Sequence, residues 1–181
     1  LQFQFPDCRT PIREAIRKLE LEGLVLMIPR KGAEVAEITE KNLRDVLEVR
    51  AALEELAVQL ACDRIDKEGI ENLKRAAENF KSTLDSDDIT KIAEADVAFH
   101  DIIYLATDNQ RLIQLLNNLR EQMYRYRVEY LKQKDCYPQL LAEHQQIIHA
   151  LENGEKDVAT KLTNQHIKNQ VSAVSGVIRN K

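Results

Sequence analysis

Hydrophobic positions recur every three to four residues along most of this chain, which is the spacing of amphipathic helices. From residue 40 onward, polar and glycine-containing breaks divide the pattern into six predicted helices, near 40–64, 67–85, 88–107, 109–132, 138–152 and 155–178. Before them, a helix that starts at Thr10-Pro11 and stops at Gly23 is followed by short strands at 24–28 and 33–36. The pattern predicts an all-α protein, an antiparallel bundle of about six helices preceded by a small helix-and-hairpin unit.

The composition agrees with a helical protein. The 181 residues include only 5 Gly, 4 Pro and no Trp, and long stretches are rich in Ala, Leu, Glu, Lys and Arg. The net charge of −4 excludes a chain that is basic throughout. Residues 9–18, however, carry four basic side chains and one acidic one, and this local surplus indicates an anionic partner for that segment.

The cysteine pattern and the absence of long apolar runs indicate the compartment. The three cysteines are far apart and form no CxxC pair, which is typical of reduced thiols. No run of 18 apolar residues and no signal peptide pattern occurs. We therefore expect a cytoplasmic protein with no membrane partner, with one domain at residues 1–37 and a second at 38–181.

Three of the four histidines and one aspartate are predicted to face the interior of the bundle. At 100° per residue, Asp96 and His100 share the apolar stripe of the third bundle helix, and His144 and His166 lie on the inward faces of the last two. The turn at 153–154 folds those two helices back antiparallel and brings their imidazoles to the same level. Because a buried carboxylate needs a cation, the pattern predicts a four-ligand metal site for zinc, with nickel, manganese or iron as alternatives.

Two other interpretations of these residues stay open from the sequence. In the first, the four side chains hydrogen-bond to one another in a metal-free bundle. In the second, the adjacent pair His100-Asp101 belongs to a metal-dependent phosphohydrolase of the HD type, although Asp101 leaves the inward face and no separate general base is evident. His149 lies on the opposite face of its helix from His144 and is excluded as a ligand.

The basic N-terminal helix has the pattern of a DNA-reading element. Its arginines recur every four residues and form a stripe of guanidinium groups, while Ile12, Ala15, Ile16 and Leu19 are expected to anchor the other side. Such a helix fits the major groove, and the hairpin tip reaches the neighbouring backbone. The predicted DNA-binding residues are Arg9, Thr10, Arg13, Arg17, Arg30, Lys31 and Gly32.

Two sequence motifs carry a resemblance to a known family. The segment from Arg9 to Val25, followed by Ile28-Pro-Arg-Lys-Gly-Ala, resembles the recognition helix and wing of GntR-type transcription regulators. Residues 39–178, with Asp96-x3-His100, Glu143-His144 and His166, are similar to the FCD ligand-binding domain of the FadR subfamily.

The resemblance implies a partial winged helix-turn-helix at 1–37 and an FCD domain at 38–181. It also implies that Asp96 and the three histidines are the metal ligands, and that Arg9, Thr10, Arg13 and Gly32 lie at or near DNA contacts. Because a complete winged helix-turn-helix needs further residues upstream, we expect this chain to lack part of the DNA-binding domain.

A buried arginine suggests how such a protein senses a small molecule. Arg50 lies in the inward stripe of the first bundle helix and requires a partner, either Glu54 one turn later or the carboxylate of a small organic acid beside the metal. Asn169 is a second candidate for contacting this effector. The sequence therefore predicts a homodimeric, metal-dependent transcription regulator, a repressor rather than an enzyme, that binds two-fold operator DNA and a carboxylate effector.

Overall fold

The structure is a computed structural model that describes residues 9–179. Contacts within the chain divide it into two compact units, Leu1–Ile38 and Thr39–Lys181. Across the described residues, eight α-helices and one two-stranded sheet form the secondary structure, which confirms the predicted all-helical class. None of the helices in this part of the chain is long and apolar enough to cross a membrane.

The first unit is a helix followed by a hairpin. Helix α1 (Arg9–Leu21) is followed by Gly23, whose positive φ of 70° favours glycine. Strand β1 (Val25–Ile28) pairs antiparallel with β2 (Gly32–Val35). Gly32 also has a positive φ, of 103°, where the chain enters β2. The basic tip predicted from Pro29-Arg-Lys-Gly is therefore the turn of a true hairpin.

Two details of the first unit differ from expectation. Thr10 lies inside α1 instead of capping it, because the described helix already includes Arg9. The apolar anchor of the helix is incomplete, since Ile16 is half-buried and Ile12 and Leu19 are 54% and 38% exposed. One helix and one short hairpin provide too little surface to cover both sides of these side chains.

The second unit is a bundle of seven α-helices. Four of them begin at a side chain that accepts a hydrogen bond from a free backbone N–H of the first turn, at Thr39, Asp66, Asp88 and Asn109. The helices are α2 (Glu40–Arg64), α3 (Lys67–Thr83), α4 (Ile89–Ala106), α5 (Gln110–Asn118), α6 (Arg120–Leu131), α7 (Tyr137–Glu152) and α8 (Lys156–Arg179), with a short 3-10 turn at Lys134–Cys136 before α7.

The predicted helix at 109–132 is two helices, and this part of the prediction was wrong. The chain breaks at Leu119, whose backbone N–H donates to Leu116 and Asn117 instead of continuing the regular ladder. Asn117 and Asn118 are weak helix formers that precede the break, and the Asn117 side chain accepts hydrogen bonds from Arg120. Leu116 and Met123 are both buried, so the hydrophobic spacing continues across the break. This spacing alone therefore did not reveal the break at Leu119.

The bundle core lies between α2, α4, α7 and α8, with α3 and α5 packed around it. Helix α2 runs along α8, α3 packs on α4, and α7 packs on α8. The α7–α8 connection is tight, because Gly154 has a φ of 67° and the N–H of Glu155 donates back to Ala150. This turn holds α7 and α8 side by side and sets the position along their axes at which their inward side chains meet.

Candidate metal centre

Three histidines from three helices meet in the core of the bundle. The ring centroids of His100 on α4, His144 on α7 and His166 on α8 are separated by 5.8, 5.2 and 5.5 Å, and all three side chains are buried. Each ring offers one nitrogen, and these nitrogens lie within 4.8 Å of one another. A tetrahedral zinc ion requires nitrogens about 3.4 Å apart, so the rings need to move inward by only about 1 Å.

Asp96 lies beside this triad, one turn before His100 on α4. Its Oδ1 is 3.2 Å from Nε2 of His144, and its Oδ2 is 3.9 Å from Nε2 of His100. The structure thus brings the three histidines together and places the carboxylate of Asp96 beside two of them, His144 and His100. Two neighbouring phenyl rings enclose the group, since Phe99 stacks on His144 at a centroid distance of 3.9 Å and Phe80 lies 5.2 Å from the same ring.

Several atoms of this group are buried without a hydrogen bond among the described residues. They are both carboxylate oxygens of Asp96, both ring nitrogens of His144 and Nε2 of His100. A buried polar atom with no partner is costly, and a divalent cation would satisfy three of these residues at once. The donor set, one carboxylate and three imidazoles, fits a borderline metal such as zinc.

Burial and charge set the protonation of the group. Burial lowers the pKa values of His100 and His144, which keeps both imidazoles neutral and able to donate a lone pair. Burial alone would raise the pKa of Asp96, but the positive charge of Arg127 beside it holds it well below its usual value. Asp96, His100 and His144 are therefore in the deprotonated forms that bind metal.

Arg127 supplies a fixed positive charge next to Asp96. Its Nε lies 2.5 Å from Oδ2 of Asp96, and both side chains are buried. The two groups form an ion pair that lacks the alignment of a hydrogen bond, since neither Arg127 Nε nor the Asp96 oxygens has a hydrogen-bonded partner in the described structure. The sequence pattern did not indicate this contact, because Arg127 and Asp96 lie on different helices, α6 and α4.

Arg50, the candidate effector contact, pairs with Glu54. Its Nε donates to Oε1 of Glu54 at 2.5 Å, and the hydroxyl of Tyr104 donates to the same oxygen at 2.7 Å. Burial opposes ionisation of Glu54, but the charge of Arg50 and the hydrogen bonds from Arg50 and Tyr104 lower its pKa to about 2. Nη2 of Arg50 has no hydrogen-bonded partner within residues 9–179, so the guanidinium is only partly satisfied by Glu54.

The third histidine is held by a carboxylate from the neighbouring helix. Nδ1 of His166 lies 2.7 Å from Oε2 of Glu143, and Asn169 donates to the other carboxylate oxygen at 2.5 Å. Asn169 is half-buried and faces Glu143, whereas Gln170 is the buried amide of α8 that contacts Arg50. The sequence named Asn169 as the candidate on this helix and missed Gln170.

A narrow cleft between α4, α5 and α6 leads towards the group. His100 and Arg127 line its buried part, and the ion pair between Asp101 and Arg120, with an O···N distance of 2.8 Å, lines its exposed part. Asp101 therefore lies outside the triad, as its helical angle predicted.

The basic side chains of the first unit lie on its surface. Arg13 and Arg17 are exposed on one side of α1, and Arg30, Lys31 and Gly32 are exposed at the hairpin tip, where Arg30 has a φ of 66°. Thr10 is exposed in the first turn of the helix. The side chain of Arg9 lies outside the described residues.

Comparison with known proteins identifies the family. Residues 45–169 match the FCD domain family. The chain is 27% identical to the HTH-type transcriptional regulator YdhC of Bacillus subtilis, over 96% of this chain and 78% of the relative. It is 28% identical to the gluconate operon transcriptional repressor of the same organism, over 90% and 68%.

The fold comparison agrees with the sequence comparison. The structure of Escherichia coli McbR/YncC superimposes with a TM-score of 0.83 and 18% identity, covering 92% of this chain and 84% of the other. The chain belongs to the FCD domain family and is a GntR-type transcription regulator. The similar proteins are regulators and not enzymes, which confirms the expected class and rejects the phosphohydrolase alternative.

Proposed function

We propose that this regulator binds a divalent metal ion, zinc in the first place, through Asp96, His100, His144 and His166. The observation that carries the proposal is the buried triad with an adjacent carboxylate, in which five ring nitrogens or carboxylate oxygens have no hydrogen bond within the described chain. A bound cation would compensate Asp96 and satisfy the imidazole lone pairs together.

We propose further that a small carboxylate binds beside the metal and contacts Arg50. Nη2 of this buried guanidinium has no partner among residues 9–179, and a guanidinium is well suited to hold a carboxylate with two parallel hydrogen bonds. The similarity to a gluconate operon repressor supports a small organic acid as effector class. Asn169, which holds Glu143 in this structure, would act on the effector only indirectly.

The N-terminal domain predicted from the sequence, residues 1–37, is proposed to bind operator DNA in the cytoplasm. The exposed basic side of α1 would enter the major groove, with the hairpin tip on the neighbouring backbone. Because one such helix reads half of a two-fold site, the regulator would act as a homodimer through its 38–181 domain. Effector binding would alter repression through its different affinity for the DNA-bound and free conformations.

One observation favours a second candidate, a metal-free bundle. Arg127 already offsets the charge of Asp96 at 2.5 Å, so the buried carboxylate has a cationic partner without a metal. In this alternative the domain would be a structural or dimerisation module.

Metal analysis separates the two candidates. Protein purified without an affinity tag should contain close to one metal ion per chain, and zinc should raise the melting temperature of chelator-treated protein by mass action. His100→Ala should lose both effects, whereas His149→Ala, an exposed histidine that lies on α7, should keep them. Protein that takes up no metal, with His100→Ala unchanged in stability, would establish the metal-free alternative.

A thermal-shift screen of small carboxylates tests the effector. A carboxylate that binds as proposed should raise the melting temperature of the zinc-loaded protein, and Arg50→Lys should weaken this effect because an ammonium cannot hold a carboxylate with two parallel hydrogen bonds. An equal shift with and without metal would contradict binding beside the metal.

A further inference from the structure

A single glutamine side chain connects the candidate metal ligands with the candidate effector contact. Nη1 of Arg50 donates to Oε1 of Gln170 at 2.7 Å, and Nε2 of Gln170 lies 2.9 Å from Nε2 of His166. Gln170 is 4% exposed. On its far side, His166 contacts Glu143 through Nδ1. The four residues form a continuous buried chain from α2 through α8 to α7.

The direction of every hydrogen bond in this chain is set at its two ends. A carboxylate only accepts, so Nδ1 of His166 carries the proton and donates to Glu143, and Nε2 of His166 is left with a lone pair. A guanidinium only donates, so the oxygen of Gln170 faces Arg50. The amide NH2 of Gln170 therefore faces His166 and donates to Nε2.

That lone pair is the one that a metal ion needs. Nδ1 of His166 is protonated and held by Glu143, so Nε2 is the nitrogen of this ring that can coordinate a cation. A lone pair that accepts a hydrogen bond from Gln170 cannot also bind a metal. Metal binding at His166 thus requires Gln170 to release the ring.

We propose that Gln170 is a gate that couples the metal site to the carboxylate site, an inference that rests on the proposed metal and effector function. In this structure, the side chain of Gln170 contacts both Arg50 and His166. With Nε2 of His166 committed to a metal, the amide of Gln170 would lose this acceptor. Its side chain would then move away, which would also remove the oxygen from Nη1 of Arg50.

The consequence is a positive coupling between metal and anion. After Gln170 leaves, Nη1 of Arg50 has no acceptor. Nη2 of the same guanidinium already has no hydrogen-bonded partner in the described residues. Two unpartnered N–H groups on one buried guanidinium favour a carboxylate. Because coupling is reciprocal, a bound carboxylate raises the affinity for the metal by the same factor.

The effect of Gln170 on metal binding is measured directly by the zinc affinity of the protein. In competition titrations of the full chain against a chromophoric chelator, Gln170→Leu should bind zinc about three- to tenfold more tightly than the wild type, the effect of removing one competing hydrogen bond. Gln114→Leu is the matched control, because Gln114 is exposed on α5 and its described hydrogen bond is with the exposed Arg111, away from the candidate site. Its zinc affinity should equal that of the wild type.

The outcomes distinguish the gate from the proposed function. If the wild type binds no zinc, the proposed metal function is wrong. If the wild type binds zinc but Gln170→Leu binds it equally or more weakly, the metal function stands and the gate is overturned.

A spectroscopic measurement on the wild type does not depend on how a variant folds. In ¹⁵N NMR of chelator-treated protein, the Gln170 side-chain amide should show scalar coupling to Nε2 of His166 across the hydrogen bond, and this coupling should disappear with zinc. Coupling that persists in the zinc-loaded protein would overturn the gate.

Acetate is a suitable probe for the second half of the coupling. Its affinity, measured with and without zinc, should rise with zinc in the wild type, and the rise should be smaller in Gln170→Leu, in which Nη1 of Arg50 is free in both states. An equal rise in the two proteins would show that Gln170 does not transmit the effect.

Discussion

Oε2 of Glu143 on α7 lies 2.7 Å from Nδ1 of His166 on α8, so a carboxylate on one helix orients an imidazole on the next. Burial would raise the pKa of Glu143, but its contact with His166 and the amides of Asn169 and Gln139 lower it. The carboxylate is therefore ionised and fixes which nitrogen of His166 carries a proton. Carboxylates that hold ligand histidines in this way tune many metal sites.

Glu143→Gln should weaken zinc binding by about 10- to 100-fold, the usual effect of losing such a carboxylate. The amide side chain introduced at position 143 fills the same space, but it is neutral and no longer holds the Nδ1–H group of His166 with a negative charge. Chelator competition measures the change, and Glu152→Gln on the exposed end of the same helix should leave the affinity unaltered. A Glu143→Gln protein with wild-type zinc affinity would contradict an orienting role.

The buried pair Arg50–Glu54 should be important for stability. Arg50→Met leaves the buried carboxyl group of Glu54 without its main cationic partner, at an expected cost of about 3–5 kcal/mol in the free energy of unfolding. Lys156→Met breaks an exposed pair with Asp63 and should cost less than about 1 kcal/mol. Urea denaturation of both variants compares the two values, and similar costs would show that Arg50 contributes little as an ion-pair partner.

The metal-free protein should lose stability as the pH falls below about 6.5. Burial lowers the pKa values of His100 and His144 from 6.5, so below that pH the unfolded chain binds more protons than the folded one, and protonation favours unfolding. The contribution of the two neutral histidines to the free energy of unfolding is fully present above their pKa in the unfolded chain. It declines as the pH falls, by at most about 1.4 kcal/mol per pH unit for each histidine.

Urea titrations of chelator-treated protein between pH 7.5 and 5.5 measure this slope. His144→Phe should have a shallower slope than the wild type, because one proton-binding site has been removed. A wild-type free energy of unfolding that is constant over this range would show that the two imidazoles are protonated equally in both states.

Arg17 is expected to contribute to DNA binding through the exposed basic side of α1. If Arg17 contacts a phosphate, Arg17→Ala should reduce the slope of log affinity against log salt by about 0.9 for duplex DNA. Arg75→Ala removes the same charge from an exposed position on α3 and should leave the slope unchanged. Equal slopes for the wild type and Arg17→Ala would exclude such a phosphate contact.

The local sequence pattern predicted the helices well, because the start and end of each helix depend on residues that are close together in the chain. The start of α2 at Thr39 and of α3 at Asp66 follows from side chains that cap their own helix, and the end of α7 follows from the Asn153-Gly154 turn. The break at Leu119 escaped prediction because Leu116 before it and Met123 after it are apolar and buried, so the hydrophobic spacing carries no interruption.

The sequence by itself determined which side chains point inward. A fixed angle of 100° per residue places Asp96, His100 and Arg50 on the buried faces of their helices, whatever the helices pack against. Which of these side chains contact one another depends on how far each helix slides and turns against its neighbour. Only the tertiary structure decided that Gln170, rather than Asn169, contacts Arg50, and that Arg127 contacts Asp96, because these partners lie far apart in the chain.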